Sequence, residues 1–315
     1  MEEKFEWSGS LSAPKEYPVE VYEGHLISID YDQNFKDWGT INSGWGNLGG
    51  TVVSGPRQKA APDSLNITWL SFAEDKFYSG SFALPKDKIT ALLKTGFTDA
   101  DNTKRSFTDV VTGLAPGGTV VIWVLGPGRK VQVAQFKARE IRIDPKTVAS
   151  HDSYMFREGY AERTMDNDMV ITDAIKSKIA ESGTPEPSDY GDRYQRKYSW
   201  KPGFELYENG KPVNFAFEML NGEMDLLSGQ TLQDTDFLKR AVPKNCSFYW
   251  KTDKGVEHGI KITAFDEKEI MAAFESIGDK SATLLFKIAP ENKLSISLKS
   301  DSKEVVLKKG KVQSF

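Results

Sequence analysis

Cysteine is almost missing from this chain. A single residue, Cys246, among 315 rules out an internal disulfide framework and any site built from several thiolates. Histidine is nearly as scarce. His25, His151 and His258 lie far apart, and none belongs to an HExxH pattern. There is no GxSxG elbow to expose a serine nucleophile. No apolar run approaches the roughly 18 residues needed to cross a bilayer, and mean hydropathy is -0.47. Neither charge dominates: 41 Lys+Arg against 45 Asp+Glu leave a net charge of -4, which argues against a dedicated nucleic-acid binder and the basic face it needs. The start, Met1-Glu-Glu-Lys-Phe-Glu-Trp7, is acidic and lacks the apolar core of a secretory leader. These absences point away from an enzyme, and no catalytic residue, cofactor or metal is expected.

What is present is a repeat. The segment around Leu65 to Phe97 aligns with that from Cys246 to Gly278, placing Trp69 opposite Trp250 and Gly80 opposite Gly259. Two further blocks align in the same order: Pro18-Val-Glu-Val-Tyr-Glu-Gly24 with Gly203-Phe-Glu-Leu-Tyr-Glu-Asn-Gly210, and the strand from Thr119 with that from Thr283. Alternation in Val131-Gln-Val133 and Ser295-Ile-Ser-Leu298 marks strands. Gly126-Pro-Gly128 and Pro290-Glu-Asn292 supply turn chemistry. Each copy has one helix pattern, with Ile89, Leu92 and Leu93 in the first and Ile270, Ala273, Phe274 and Ile277 in the second. The expected architecture is mostly β, or α+β: two tandem, related, sandwich-like domains of antiparallel sheet, each with a short helix. The expected bounds are 1–145 and 199–315, joined by a helical connector over 146–198. That connector places Ile171, Ala174, Ile175 and Ile179 on one helix face and is expected to pack on a sheet.

Several motifs have ordinary explanations. Gly44-Trp-Gly-Asn-Leu-Gly49 spells GxGxxG, but a dinucleotide site needs those glycines between a strand and a helix. Here Gly50-Thr-Val-Val53 reads as a strand, so the loop is expected to lay Trp45 over a sheet. Asp99-Ala-Asp-Asn102 lacks the glycine and closing glutamate of a calcium loop. Cys246 sits in an apolar strand as a small buried side chain, and the lysines from Lys299 to Lys311 suit a protected edge strand. The aromatics are less easily dismissed. Phe35, Trp38 and Trp45 fall in a loop rich in Asp, Asn, Gly and Ser, and Phe77 and Tyr78 follow Glu74 and Asp75 in a hairpin. Exposed aromatics beside carboxylates typify protein-binding surfaces. The expected contact residues are Asp30, Asp32, Phe35, Trp38, Trp45, Asp75, Phe77 and Tyr78, with alanine at Trp38 and Tyr78 weakening binding without unfolding.

Four stretches carry a family resemblance: Pro14-Lys-Glu-Tyr-Pro-Val-Glu-Val-Tyr-Glu-Gly24, Gly44-Trp-Gly46, the run from Pro62 to Tyr78, and Ile122-Trp-Val-Leu-Gly-Pro-Gly128. With Asp192-Arg-Tyr-Gln-Arg-Lys-Tyr-Ser-Trp200, they resemble a bacterial family known only as domain of unknown function 2931, over about residues 8 to 200. The resemblance implies Gram-negative envelope lipoproteins, periplasmic or at the outer membrane. Some are encoded beside type VI secretion effectors, including phospholipases, and look like immunity proteins. This chain departs from them in having no leader and no lipid-attachment cysteine near its start. Membrane contact is therefore expected only through an anchor it does not carry. The function expected is neutralisation of a cognate lipase effector in a one-to-one complex, without nucleic acid. The alternative is an envelope module that binds a glycan or small ligand on Trp45.

Overall fold

Period-two alternation of apolar residues builds sheets wherever one face is buried, and it accounts for most of this chain. The computed structural model describes residues 2–49 and 55–314. The predicted strand at Gly50–Val53 lies outside them. Two compact units emerge: Met1–Phe97 with Arg105–Arg193, and Thr98–Lys104 with Tyr194–Phe315. The fold is mostly β with a few short helices, as the alternation requires.

In chain order the first stretch runs β1 (Ser8–Ser12), β2 (Val19–Ser28), β3 (Tyr31–Asn34), β4 (Thr40–Ile41), β5 (Ser64–Ser71), β6 (Lys76–Ala83), α1 (Lys86–Thr95) and two short strands, β7 (Phe97–Thr98) and β8 (Lys104–Arg105). It continues through β9 (Asp109–Ala115), β10 (Thr119–Gly126), β11 (Arg129–Lys137), β12 (Arg139–Ile141), α2 (Tyr160–Met165) and α3 (Asp173–Ser182). In the first unit an antiparallel sheet is ordered β12-β6-β5-β2-β3. A second is ordered β1-β9-β10-β11, its β1–β9 pair parallel. Their facing sides share one core, containing Leu65, Ile67 and Trp69 from the first sheet and Val110, Ile122 and Val124 from the second. Ile89 and Leu93 of α1 complete it.

The run Thr119-Val-Val-Ile-Trp-Val-Leu-Gly126 reads as unbroken apolar sequence because β10 is buried on both faces. On its outer face Trp123 meets Trp45 edge-on, with ring centroids 4.8 Å apart. Gly113 makes this possible: a Cβ there would stand 2.3 Å from the Trp123 ring. Gly44 and Gly46 take φ of 103° and 77° to lay Trp45 down, as expected of that loop. The Lys130 ammonium donates to the Gly46 carbonyl at 2.8 Å.

The stretch expected as a connector belongs to the first unit as far as Arg193. It covers the outer face of the first sheet, where Met155 and Ala161 pack with Leu70 and Phe72. Glu20, buried on β2, accepts from the Tyr154 hydroxyl at 2.6 Å and the Tyr160 hydroxyl at 2.7 Å. Of the four residues assigned to one helix face, Ile171 and Ile175 are buried while Ala174 is exposed.

The second unit contains β13 (Tyr198–Leu206), β14 (Lys211–Met219), β15 (Met224–Ser228), α4 (Gly229–Gln233), β16 (Leu238–Arg240), β17 (Pro243–Lys251) and β18 (Glu257–Phe265). After these come α5 (Glu267–Ile277), β19 (Ala282–Ala289), β20 (Lys293–Ser300), β21 (Lys303–Leu307) and β22 (Gly310–Ser314). Its strand orders, β22-β18-β17-β14-β15 and β16-β13-β19-β20-β21, repeat those of the first unit, and β13–β19 is again the parallel pair. The Trp7 indole donates to the Ala60 carbonyl at 2.9 Å, and Trp200 to Ala241 at 3.1 Å. Lys59 lies over the Trp7 ring at 4.8 Å, and Arg240 over Trp200 at 5.8 Å.

The structure keeps Trp69 opposite Trp250 and α1 opposite α5 but shifts three other alignments. Pro116, between β9 and β10, corresponds to Pro290, between β19 and β20; Gly117 and Glu291 share φ of 67° and 66°. Thr283 therefore corresponds to Asp109, one strand before Thr119. Likewise Val19–Glu23 lies on β2, whereas Phe204–Leu206 lies on β13. Gly80 faces Ile67 while Gly259 faces Tyr249, one residue out of step. Neighbouring strands of Val, Ile and Leu look alike, and so do the turns Pro116-Gly117 and Pro127-Gly128 that close them.

Two outcomes follow. Replacing Glu20 with alanine leaves two half-buried phenols without their acceptor and should cost about 2 kcal/mol, read by urea unfolding, with faster proteolysis over residues 150–165. Burial and the Glu186 and Glu16 carboxylates push the Tyr17 phenol from 10.0 up to about 12. Its neutral form is thus favoured in the fold, so this contribution is intact below pH 10 and is lost as the pH climbs from 10 towards 12. Tyr17→Phe should flatten that alkaline decline in a thermal-melt series, leaving the smaller share contributed by Tyr78, Tyr154 and Tyr160, whose phenols are also raised.

Candidate recognition site

The turn between β5 and β6 tightens around Glu74. Its carboxylate accepts from the Ser71 hydroxyl at 2.7 Å, the Tyr78 hydroxyl at 2.9 Å and the Gly117 backbone N–H at 3.0 Å. Asp75, at φ of 50°, forms the exposed tip. Burial, then the Glu74 contact, raise the Tyr78 phenol. β12 pairs with β6 through Arg139 and Ser79, Glu140 and Tyr78, and Ile141 and Phe77, where the ladder ends. Past that point a cavity of about 490 Å³ opens between the turn and residues 142–143.

The floor of the cavity is aromatic. Phe77 stacks on Phe156 at 5.0 Å and 8°, and Tyr22 meets both edge-on at 6.1 and 5.8 Å. On the rim, Lys76 pairs with Glu140 at 2.9 Å, which raises the Lys76 ammonium. Arg142 is exposed beside them. From Tyr22 the surface continues to Lys36, whose ammonium lies 5.8 Å over that ring and pairs with buried Asp152 at 2.8 Å. Asp152 raises Lys36 in turn.

Of the eight residues expected to meet a partner, Asp75 and Phe77 line this cavity. Three do not reach the surface, which corrects that expectation. Phe35, Trp45 and Tyr78 are 0%, 5% and 5% exposed. Phe35 fills the space left by Gly24, where a Cβ would stand 3.1 Å from its own. Trp45 lies between Trp123 and Tyr190, and Tyr78 is pinned by Glu74. Trp38 is half-buried, edge-on to Phe35 at 5.3 Å. Asp30 latches the N-terminal segment: Lys4 at 2.8 Å and the Ala60 N–H at 3.0 Å hold its carboxyl down to about 2. Asp32 is exposed and pairs with His25 at 2.9 Å. An alanine at Tyr78 would thus disturb the core. Tyr22, Glu140, Arg142 and Phe156 were not foreseen. The alternation Glu140-Ile-Arg-Ile143 is a strand signal for Glu140 and Arg142 alone.

This is a two-unit, sandwich-like β protein with a cavity at a sheet fork. It belongs to the family Protein of unknown function (DUF2931), whose model matches residues 1–186, a span that includes every residue lining the cavity. No curated protein and no solved structure matches the chain. Among the described residues no helix is long and apolar enough to cross a membrane.

Removing the Phe156 ring should open the floor beneath Tyr22 and Phe77. Phe156→Ala is expected to lower unfolding free energy by about 2 kcal/mol, below the full core value because the ring is half-buried, as measured by denaturant titration.

Proposed function

We propose that this protein is an immunity protein that binds a type VI secretion lipase effector and neutralises it by contact. The observation that carries the reading is the cavity: a fixed aromatic floor inside a charged rim, the arrangement in which a few desolvated anchors supply most of a protein interface's energy. Family membership and the resemblance noted above support it. So does the rigidity of the site, since Glu74 and Glu20 spend their oxygens holding the turn and the covering segment in place. A preorganised site loses less freedom on binding. The protein acts by binding rather than by chemistry, in the periplasm or as an outer-membrane lipoprotein. Its partner is one effector molecule per chain.

The cavity volume also falls in the range of small-ligand pockets, which favours a glycan- or ligand-binding module as the alternative. That module would use the Phe77–Phe156 floor, because Trp45 is buried.

The test is a titration into the lipase encoded beside the gene, with hydrolysis followed on phospholipid vesicles and complexes resolved by size-exclusion chromatography. Activity should vanish at equimolar protein, with co-elution and a Kd on the order of nanomolar. Undiminished hydrolysis without co-elution would move the alternative to the front.

A further inference from the structure

The cavity exists because two strands part. β6 extends to Lys76, which still pairs with Ser71 on β5, but β12 leaves it after Ile141. Pro145 lies close beyond, and proline keeps the residue before it out of helical backbone. Asp144 is accordingly extended, caps the next turn by accepting from the Lys146 N–H at 3.0 Å, and draws the chain away. The fork is thus written into residues 142–145 and does not depend on a ligand.

The charges around it are unequally committed. Both Glu74 oxygens are occupied by donors, and Lys76 and Glu140 neutralise each other. Among the described residues Arg142 has no acidic partner and the Asp75 carboxylate no cationic one. One cation and one anion thus remain on opposite arms of the fork, with the stacked rings of Phe77 and Phe156 at its floor.

We propose that this fork receives an extended segment of a partner protein, with an acidic side chain of that segment on Arg142 and an adjacent apolar side chain on the Phe77–Phe156 floor. The inference rests on the protein-binding reading above and names what is bound. A guanidinium offers paired donors that match a carboxylate. Asp75 repels an acid placed at its own arm, which fixes the direction of the segment. Side chains alternate along an extended segment, so one that points down to the floor has a neighbour that points out to the rim.

The experiment compares wild type, Arg142→Glu and, as a charge reversal away from the fork, Lys15→Glu, each first checked for an unchanged thermal melt. All three are titrated into the lipase and panned against a phage-displayed library of random linear peptides. Arg142→Glu should weaken lipase binding roughly thirtyfold or more, while Lys15→Glu stays near wild type. Panning should enrich peptides with Asp or Glu beside an apolar residue on wild type but not on Arg142→Glu. If wild type and Arg142→Glu bind the lipase equally, the fork assignment falls and the immunity reading stands. If wild type does not bind the lipase, the immunity reading falls, and panning decides the fork: acid-apolar enrichment lost in Arg142→Glu upholds it, and no such enrichment overturns it.

Discussion

In each unit an indole N–H reaches from the start of one sheet to a carbonyl at the start of the other. Trp7 stands just before β1 and Ala60 just before β5; Trp200 opens β13 and Ala241 precedes β17. A cation covers each ring, Lys59 in one case and Arg240 in the other. Lys59 is further enclosed by Tyr31 at 4.7 Å, and burial lowers its ammonium pKa. The buried ammonium is tolerated because it donates to the Pro56 carbonyl at 3.4 Å, feels the Asp30 and Glu6 carboxylates and lies on electron-rich ring faces. This contact ties the start of one sheet to the lead-in of the other, and in the first unit it holds the Trp7 ring within the core that the two sheets share.

The units then diverge on their outer faces. In the first, Leu70, Phe72 and Phe77 face the covering segment and are sealed by Met155, Phe156 and Ala161. At the places of Leu70 and Phe77 the second unit carries Lys251 and Glu257, a solvated ion pair 3.2 Å apart, with Tyr249 exposed two residues before Lys251. The added segment brings Phe156 beneath the fork of the first unit, where it stacks on Phe77.

Much of the architecture was legible because alternation, the Trp69 and Trp250 landmarks and the two helix patterns are local signals. The Gly44–Gly49 loop was legible for the same reason, since glycines around a tryptophan predict a ring laid flat. The site was not. Phe35 and Tyr78 occur in sequence neighbourhoods that look exposed, yet Gly24 opens a space for one and Glu74 anchors the other. Arg142 and Phe156 matter only through the meeting of β12 with β6, residues some sixty positions apart in the chain, and no local pattern announces such a meeting. The misaligned repeat blocks have a related cause: strands of one face share a composition, and the first copy carries two turns in which a left-handed glycine follows a proline, Pro116-Gly117 and Pro127-Gly128.

Two adjacent copies of one strand order carry a hazard during folding, because an equivalent strand from the wrong copy can be captured before the right one arrives. The cores make such an exchange a poor fit. Leu11, Gly24, Ile67 and Thr112 of the first unit occupy the ladder positions that Phe204, Phe215, Phe248 and Phe286 occupy in the second. In the second unit these four rings pack together, with Phe204 on Phe286 at 5.6 Å and Phe248 on Phe286 at 5.1 Å. A strand that crossed over would bring a ring where a smaller side chain or a glycine belongs, or leave a hole the size of a ring. The divergence of the two interiors thus acts as a proofreading step in the assembly of the chain, rejecting the wrong twin by volume.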